Sequence, residues 1–206
     1  GGDHSVTGGI VQSLAKKNSK LTKGKKITLV HFDAHTDCYE KLDHFLGAKK
    51  SAAHWASYLV KQGNVDPHTS TQIGIRGNPR TLDWLQASYD IGYQVITIDE
   101  YKKLGHEKCS KMILDRLGDN PIYVTFDLDC LDATVAPGTA NLEPAFGGFN
   151  VDEARKLIQC LKGKNVIGGD VACLMPTKDN PNNITSMVAA SIMFEIICLI
   201  SINLNK

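Results

Sequence analysis

The regular alternation of short apolar runs with longer helix-like stretches is the feature that most restricts how this chain can fold. The runs are rich in Val, Ile and aromatic residues and bounded by turn residues, which is typical of strands; they cover 27–32, 72–75, 94–98, 122–126 and 166–171. The stretches with helical spacing cover 6–17, 52–61, 80–88, 107–117, 151–161 and a C-terminal segment. Because strands that alternate with helices form parallel sheets covered on both faces, we expect one three-layer α/β/α domain over residues 1–206.

Two local signals refine this prediction. Asn150 is followed three residues later by Glu153, which is the pattern of a capping box at a helix start. The most apolar segment, 186–200, is short for a membrane span and contains Glu195. We therefore predict a buried C-terminal helix and no membrane partner.

Charge and cysteine usage limit the partners and the compartment. The net charge is +1, which gives no basis for a nucleic-acid interface. The six cysteines are spread singly without a CxxC pair, which argues against a zinc ribbon or redox dithiol and for a reducing compartment. We expect a cytoplasmic protein, with a mitochondrial location as the alternative. The chain opens inside a motif without an initiator Met, so we expect an N-terminal part, with any targeting segment, to be missing.

Ligand-type side chains follow two of the predicted strands. Asp33, His35 and Asp37 follow the first run, and residues two apart in an extended chain point to the same side. Asp127 and Asp129 follow the run at 122–126 with the same spacing. Since open α/β sheets bind ligands beyond the carboxyl ends of their strands, we expect one crevice to hold both clusters.

The chemistry of these clusters favours metal binding. Four carboxylates in one crevice resist ionising together, and a pair of divalent cations removes that cost. Mixed His and Asp ligands without thiolates suit Mn, Ni, Co, Fe or Zn. The alternative, in which each Asp caps a turn, accounts well for one D-x-D but poorly for clusters at two strand ends.

Three motifs resemble those of the ureohydrolase superfamily, the arginase/agmatinase family: GGDHS (1–5), DAHTD (33–37) and FDLDCLDATVAPGT (126–139). This group includes arginases, agmatinases, other guanidino-acid hydrolases and formimidoylglutamase. The resemblance covers nearly the whole chain. It implies an arginase-like three-layer fold and a binuclear metal centre, most often of manganese and sometimes of nickel. It also implies an oligomer, commonly a trimer or a hexamer.

The resemblance assigns roles to individual residues. It implies as metal ligands His4, Asp33, His35, Asp37, Asp127 and Asp129. Asp33 and Asp127 would bridge the two ions, with His4 and Asp37 completing one ion and His35 and Asp129 the other. The candidate catalytic residues are His54, which would shuttle protons near the substrate, Asp129 and Glu143. The histidines that match no motif, for which we expect non-catalytic roles, are His31, His44, His68 and His106.

The implied reaction is hydrolysis of a guanidino compound by a hydroxide that the two metals generate, giving urea and an amine or ammonia. Cys38 and Tyr39 stand where arginases carry polar contacts for the amino-acid end, so the chain resembles agmatinase-type or guanidine-hydrolase-type members more than arginase. Trp55 replaces a small residue, and we expect it to narrow the pocket. The substrate is thus expected to be agmatine-like, a short guanidino acid or free guanidine.

Two further departures keep alternatives open. The pocket loop PGTANLEPAFGG (137–148) differs from the family pattern but retains Glu143. Cys173 stands where the family carries the Glu that pairs with the guanidinium, although Asp170 and Asp179 nearby match family positions. One alternative is hydrolysis of the formimidoylglutamase type. The other is a non-catalytic, metal-binding subunit that regulates or scaffolds a partner.

Overall fold

A five-stranded sheet lies at the centre of the computed structural model, which describes residues 1–39, 50–77, 81–143 and 147–204. Its strands, each at or within one residue of a predicted run, are β1 (Thr28–Phe32), β2 (Thr71–Ile75), β3 (Gln94–Thr97), β4 (Ile122–Asp127) and β5 (Val166–Ala172). All neighbouring strands are parallel. The prediction of an α/β fold with a parallel sheet is confirmed.

Helices connect the strands and cover the sheet. They are α1 (Ser5–Leu14), α2 (Trp55–Lys61), α3 (Gln86–Ile91), α4 (Ile98–Leu104), α5 (His106–Arg116), α6 (Val151–Gln159) and α7 (Ile184–Leu204). The capping box at the start of α6 is confirmed, since the Asn150 side chain accepts from the Glu153 amide and the Glu153 carboxylate accepts from the Asn150 amide.

One predicted helix lies later in the chain than expected, and one helix was not predicted. The helix expected over 80–88 begins later, at Gln86, and residue 80 lies outside the described part of the chain. Helix α4 was missed, because its first residue was assigned to the preceding strand. The Thr97 side chain accepts a hydrogen bond from the Glu100 amide and so starts a helix directly after β3.

The alternation of side chains along β1 divides the core between the two faces of the sheet. Leu29 packs with residues of α1 and α2, among them Val11 and Leu59. Val30 and Phe32 point to the other face, where they join the apolar residues of α4 to α7. The odd-numbered positions continue with His31 in β1 and Asp33 directly after it, so the face covered by α1 and α2 also receives these polar side chains.

The strand order β3-β2-β1-β4-β5 places a switch point between β1 and β4. From this position the chain builds outward first through β2 and β3 and then through β4 and β5. The connections on the two sides therefore diverge above the carboxyl ends of β1 and β4 and leave a crevice there. Phe32 and Phe126 pair in register across this boundary, which brings the residues after both strands to one point.

Helix α7 contains the predicted C-terminal helix, but the prediction that it is buried was wrong for much of its surface. Ala189, Ile192 and Ile196 are buried in the core beside the sheet. The opposite side exposes Ile184, Met187, Phe194, Ile197, Ile202 and Leu204. Within the described residues α7 is the one helix long and apolar enough to cross a membrane, and 22% of its most apolar window is buried.

Candidate metal centre

The ligand-type residues expected at the carboxyl ends of β1 and β4 lie together at the switch point. Asp33, His35 and Asp37 occupy the loop after β1. Asp127 ends β4, and Asp129 lies in the single turn of 3₁₀ helix that follows, which the Asp127 side chain caps. His4 reaches the same point from the N-cap position of α1. The four Asp side chains and His4 are buried, and the His35 side chain is 13% exposed.

The imidazole of His4 faces three carboxylates. Its Nδ1 lies 3.0 Å from Asp33 Oδ2, 3.0 Å from Asp127 Oδ2 and 3.3 Å from Asp37 Oδ2. Such convergence of acceptor oxygens on one nitrogen requires a positive charge between them. A protonated imidazole or a bound cation supplies it. Burial lowers the pKa of His4, but Asp127, Asp33 and Asp37 outweigh it and raise this pKa, so the metal-free chain favours the protonated imidazole.

A hydrogen-bond relay behind His4 determines which nitrogen carries the proton that remains when a cation takes this place. Thr125 Oγ1 donates to Asp170 Oδ1 at 2.8 Å, because a carboxylate accepts only. The same hydroxyl oxygen lies 2.8 Å from His4 Nε2 and therefore accepts the proton on that nitrogen. With a cation bound, a neutral His4 held in this way would turn the Nδ1 lone pair toward the carboxylates, which is the tautomer of a metal ligand.

A second group of side chains surrounds His35. Its Nδ1 lies 3.3 Å from Asp33 Oδ1 and 3.2 Å from Asp129 Oδ2. Asp33 thus directs one carboxylate oxygen to His35 and the other to His4, as a bridging ligand does. On the far side of the ring, His35 Nε2 contacts Glu143 Oε1 at 2.7 Å. The structure therefore brings all six expected ligands and Glu143 into one connected cluster.

The pKa shifts of Asp129 and His35 show that the cluster favours bound positive charge. Burial raises the pKa of Asp129, and the carboxylates of Asp127 and Asp33 raise it further. Burial lowers the pKa of His35, but the nearby carboxylates of Asp129, Asp33 and Glu143 outweigh it and raise this pKa far above its ordinary value. Without a metal, the folded chain must hold extra protons here to limit the repulsion.

Residues behind the cluster fix its orientation, and sequence reasoning missed them. Gln72 donates one amide hydrogen to the Thr36 carbonyl at 2.6 Å and the other to His31 Nδ1 at 3.1 Å. His31 Nε2 consequently carries the proton and donates to Asp33 Oδ2 at 2.8 Å. The available signal was the period of two along β1, which puts His31 on the same face as Asp33.

Trp55 does not narrow the pocket, contrary to expectation. Its side chain is fully buried, and its indole N–H donates to Asp37 Oδ2 at 2.6 Å. The ring also packs against His4 and His31, with ring centroids 4.8 and 4.9 Å apart. Trp55 therefore positions a carboxylate from behind, and the argument that it makes the substrate small does not hold.

The other expected site residues occupy varied positions. His54 is buried at the N-cap position of α2, and its Nδ1 shares a hydrogen bond of 2.7 Å with Ser51 Oγ. Its role in proton transfer stays a prediction.

Asp179 caps α7, because its carboxylate accepts from the amides of Thr185 and Ser186. Of the remaining histidines, His68 precedes β2, His106 begins α5, and His44 lies outside the described residues.

Cys173 lies at the edge of the cluster, immediately after β5. It is buried and has a positive φ of 64°. Its thiol hydrogen-bonds to Asp127, and burial together with this carboxylate raises the pKa of the thiol. The residue that the sequence comparison predicted to replace a substrate-binding Glu is therefore a buried thiol beside Asp127.

The residues present fit a pair of divalent ions. Two buried polar atoms in the described part of the chain, His4 Nδ1 and Asp129 Oδ2, have no well-aligned hydrogen bond and point into the carboxylate cluster. The ligand atoms form compact groups that share Asp33: one contains His4, Asp33 and Asp37, the other Asp33, His35 and Asp129. Oxygen and imidazole donors in this number suit borderline divalent cations.

Comparisons with known proteins agree with this arrangement. The arginase family model matches residues 1–199. The chain is 36% identical over 197 residues to an agmatinase from Salmonella paratyphi B, covering 96% of this chain and 57% of that protein. It thus spans little more than half the length of this curated relative.

Solved structures show the same fold. Proclavaminate amidino hydrolase from Streptomyces clavuligerus superposes with a TM-score of 0.84 at 30% identity, covering 98% of this chain and 63% of that one. A hypothetical agmatinase from Burkholderia thailandensis gives a TM-score of 0.79 at 33% identity, covering 97% and 56%. With its fold, its cluster of histidines and aspartates and its sequence in agreement, the chain belongs to the arginase family.

Proposed function

We propose that the protein is a binuclear metal-dependent amidinohydrolase that cleaves a guanidino compound other than arginine to urea and an amine, or ammonia in the case of guanidine. The observation that carries this proposal is the buried cluster of four aspartates and two histidines at the switch point, with Asp33 facing both groups. The similarity to agmatinases and to a proclavaminate amidino hydrolase supports it.

In this proposal His4, Asp33, Asp37 and Asp127 hold one divalent ion, and Asp33, His35, Asp127 and Asp129 hold the other. The ions would be Mn²⁺ or Ni²⁺. When bound, such a pair lowers the pKa of water and supplies a nucleophile at neutral pH.

The chain's own residues orient the centre and handle protons. Thr125 and His31 hold His4 and Asp33 in their ligand orientations from behind. Glu143, whose side chain contacts His35 and is 11% exposed, would receive the cationic guanidinium. Its pKa is lowered by the hydrogen bond to His35, so it is ionised at neutral pH. His54 serves as the proton shuttle, a role that suits imidazole near pH 7.

The substrate preference follows from the residues after the DAHTD motif. Cys38 is fully buried and contacts Gln72, so it offers no polar contact to the amino-acid end of arginine. A substrate without an α-carboxylate and α-amine needs no such contact. Agmatine, a short guanidino acid and free guanidine are therefore the candidates.

Urea release from a substrate panel tests this proposal. The metal-loaded protein is assayed with arginine, agmatine, a short guanidino acid and guanidine at equal concentrations. We expect kcat/KM for at least one of the last three to exceed that for arginine by roughly 10²-fold or more, since a mismatched polar end is strongly rejected. Arginine as the best substrate would contradict the proposal.

Cys173 supports a second candidate, a non-catalytic metal-binding subunit. A protonated thiol gives a guanidinium no fixed negative charge, and such a charge-assisted partner contributes much of the binding. If the protein binds two metals but releases neither urea nor formamide from any candidate substrate, this second function is favoured.

We also propose that the protein is a homo-oligomer, a trimer or hexamer, located in the cytoplasm or mitochondrion. The exposed apolar side of α7 supports an assembled state. The six free cysteines suit a reducing compartment. Light scattering is expected to give a mass at least three times that of the chain. A monomer at micromolar concentration contradicts the oligomer.

A further inference from the structure

The position of Cys173 relative to the metal centre is fixed by the sheet. Asp127 and Ala172 pair in register at the ends of β4 and β5, so Cys173 is the first residue beyond the pair. The Cys173 carbonyl accepts from the Ala140 amide at 2.8 Å, and the next amide, of Leu174, donates to the Gly1 carbonyl at 3.2 Å. These bonds hold Cys173 in the left-handed region, which a residue with a Cβ adopts only at an energetic cost.

This backbone conformation directs the sulfur toward the cluster. Cys173 Sγ, one nitrogen of His4 and one oxygen of Asp127 all lie within 4.8 Å of one another. Donors on opposite sides of one ion, at about 2.3 Å for sulfur and 2.1 Å for nitrogen, lie roughly 4.4 Å apart. The three atoms are therefore at the spacing of ligands to a single ion, within a small adjustment.

A second observation, independent of the cysteine, indicates that an ion belongs here. The Nδ1 atom of the buried His4 has no well-aligned hydrogen bond, although three carboxylate oxygens surround it. The relay through Thr125 to Asp170 occupies Nε2 and leaves Nδ1 as the nitrogen that faces this point. The sulfur of Cys173 thus borders a position already lined by a nitrogen and several oxygens.

We propose that Cys173 Sγ is an additional ligand of the ion held by His4 and Asp127. The S–H bond breaks as the sulfur–metal bond forms, the proton leaves to solvent, and no oxidation state changes. A residue at the position of a substrate-binding Glu thus becomes part of the metal cage. Because thiolates favour softer cations, the sulfur shifts the preference of this position from Mn²⁺ toward Ni²⁺, the softer of the two ions proposed above, and toward Co²⁺ and Zn²⁺. This inference rests on the binuclear centre of the proposed function.

Cobalt spectroscopy tests the ligand directly. The metal-free protein is loaded with Co²⁺ under reducing conditions, and metal content is measured on the same sample. We expect a thiolate-to-cobalt charge-transfer band in the near ultraviolet. The band should be absent in both Cys173→Ser and Cys173→Ala, and retained in the matched control Cys198→Ser, whose cysteine lies on α7.

Competition between metals gives a second readout. Removing the sulfur is expected to lower Zn²⁺ affinity on the order of 10-fold or more while changing Mn²⁺ affinity little. A wild-type protein that binds no cobalt, or shows no band with two cobalt ions bound, contradicts the proposal. A charge-transfer band that persists in Cys173→Ser also contradicts the proposal.

Urea release from the same samples separates this inference from the proposed function. A thiolate band without urea from any candidate substrate supports the ligand and contradicts the hydrolase. Urea release from a cobalt-loaded protein that lacks the band supports the hydrolase and contradicts Cys173 as a ligand.

Discussion

Asp129→Asn is expected to stabilise the metal-free protein while removing most of its response to metal. Asp129 is buried next to the carboxylates of Asp127 and Asp33, and burial with these neighbours raises its pKa. An asparagine retains the acceptor for the Ala34 amide and has no proton to release. We expect the midpoint of thermal unfolding to rise by about 2–4 °C for each kcal/mol by which the substitution relieves the burial and repulsion of this carboxylate.

The pH dependence has a defined sign. Since the folded-state pKa of Asp129 lies above the unfolded value, the folded chain binds this proton more tightly. Its contribution to stability is fully present below the unfolded pKa and is lost as pH rises toward the folded pKa. The variant should therefore lose less stability than the wild type as pH increases from about 4, the ordinary range of a carboxyl group.

With metal bound, the wild type should be more stable than Asp129→Asn. A ligand at 1,000 times its Kd stabilises a protein by about 4 kcal/mol. The wild type should gain such an increment with Mn²⁺ or Zn²⁺, and Asp129→Asn should gain little and release urea at least about 10²-fold more slowly. Calorimetric unfolding with and without metal measures both effects. The exposed Asp119→Asn serves as a control of equal charge change; a variant that behaves like this control contradicts the assignment of Asp129.

Thr125→Val is the second change with a large expected effect. Valine has the shape of threonine but cannot link His4 to Asp170, so it leaves the Nε2 proton and a carboxylate oxygen without this partner. We expect the free energy of unfolding to fall by about 1–3 kcal/mol. Metal affinity should fall roughly 10–100-fold, because the imidazole loses the group that orients it.

Thr125→Ser provides the matched control. It restores the hydroxyl at the same position and should recover most of the metal affinity, which isothermal titration measures. A serine variant as weak as the valine variant would show that packing of the methyl group, not the relay, is what Thr125 contributes. If Thr125→Val binds metal as tightly as the wild type, the relay does not orient His4 for metal binding.

The sequence predicted the positions of ligand-type residues well, because they depend on local rules. Strands ending at Phe32 and near Phe126 follow from composition. The extended chain predicted for residues 33–37 was wrong, because Asp33, His35 and Asp37 converge through a bent loop in which Asp37 has a positive φ of 50°. Parallel pairing then brings both strand ends to one edge of the sheet. Helix α4 could also have been predicted, since Thr97 followed by Glu100 is a capping pattern.

The residues behind the ligands could not be predicted because their contacts depend on register and packing. Thr125 reads as an ordinary β-branched strand residue until β4 and β5 pair and place it opposite Asp170. Trp55 is equally able to line a pocket or to support it, and only the packing of α2 decides this. The exposed side of α7 follows from the absence of a neighbour in the described fold, which composition does not reveal.

The register between Phe32 and Phe126 also determines when in folding the centre can form. Residues 33–37 are near neighbours in sequence, but Asp127 and Asp129 reach them only after two parallel strands far apart in the chain have paired. Such distant pairing is slow because the entropy of closing a long loop is lost before the contacts form. We therefore expect metal to bind after the rate-limiting step of folding. A bound ion would act chiefly by slowing unfolding and would leave the rate of folding nearly unchanged.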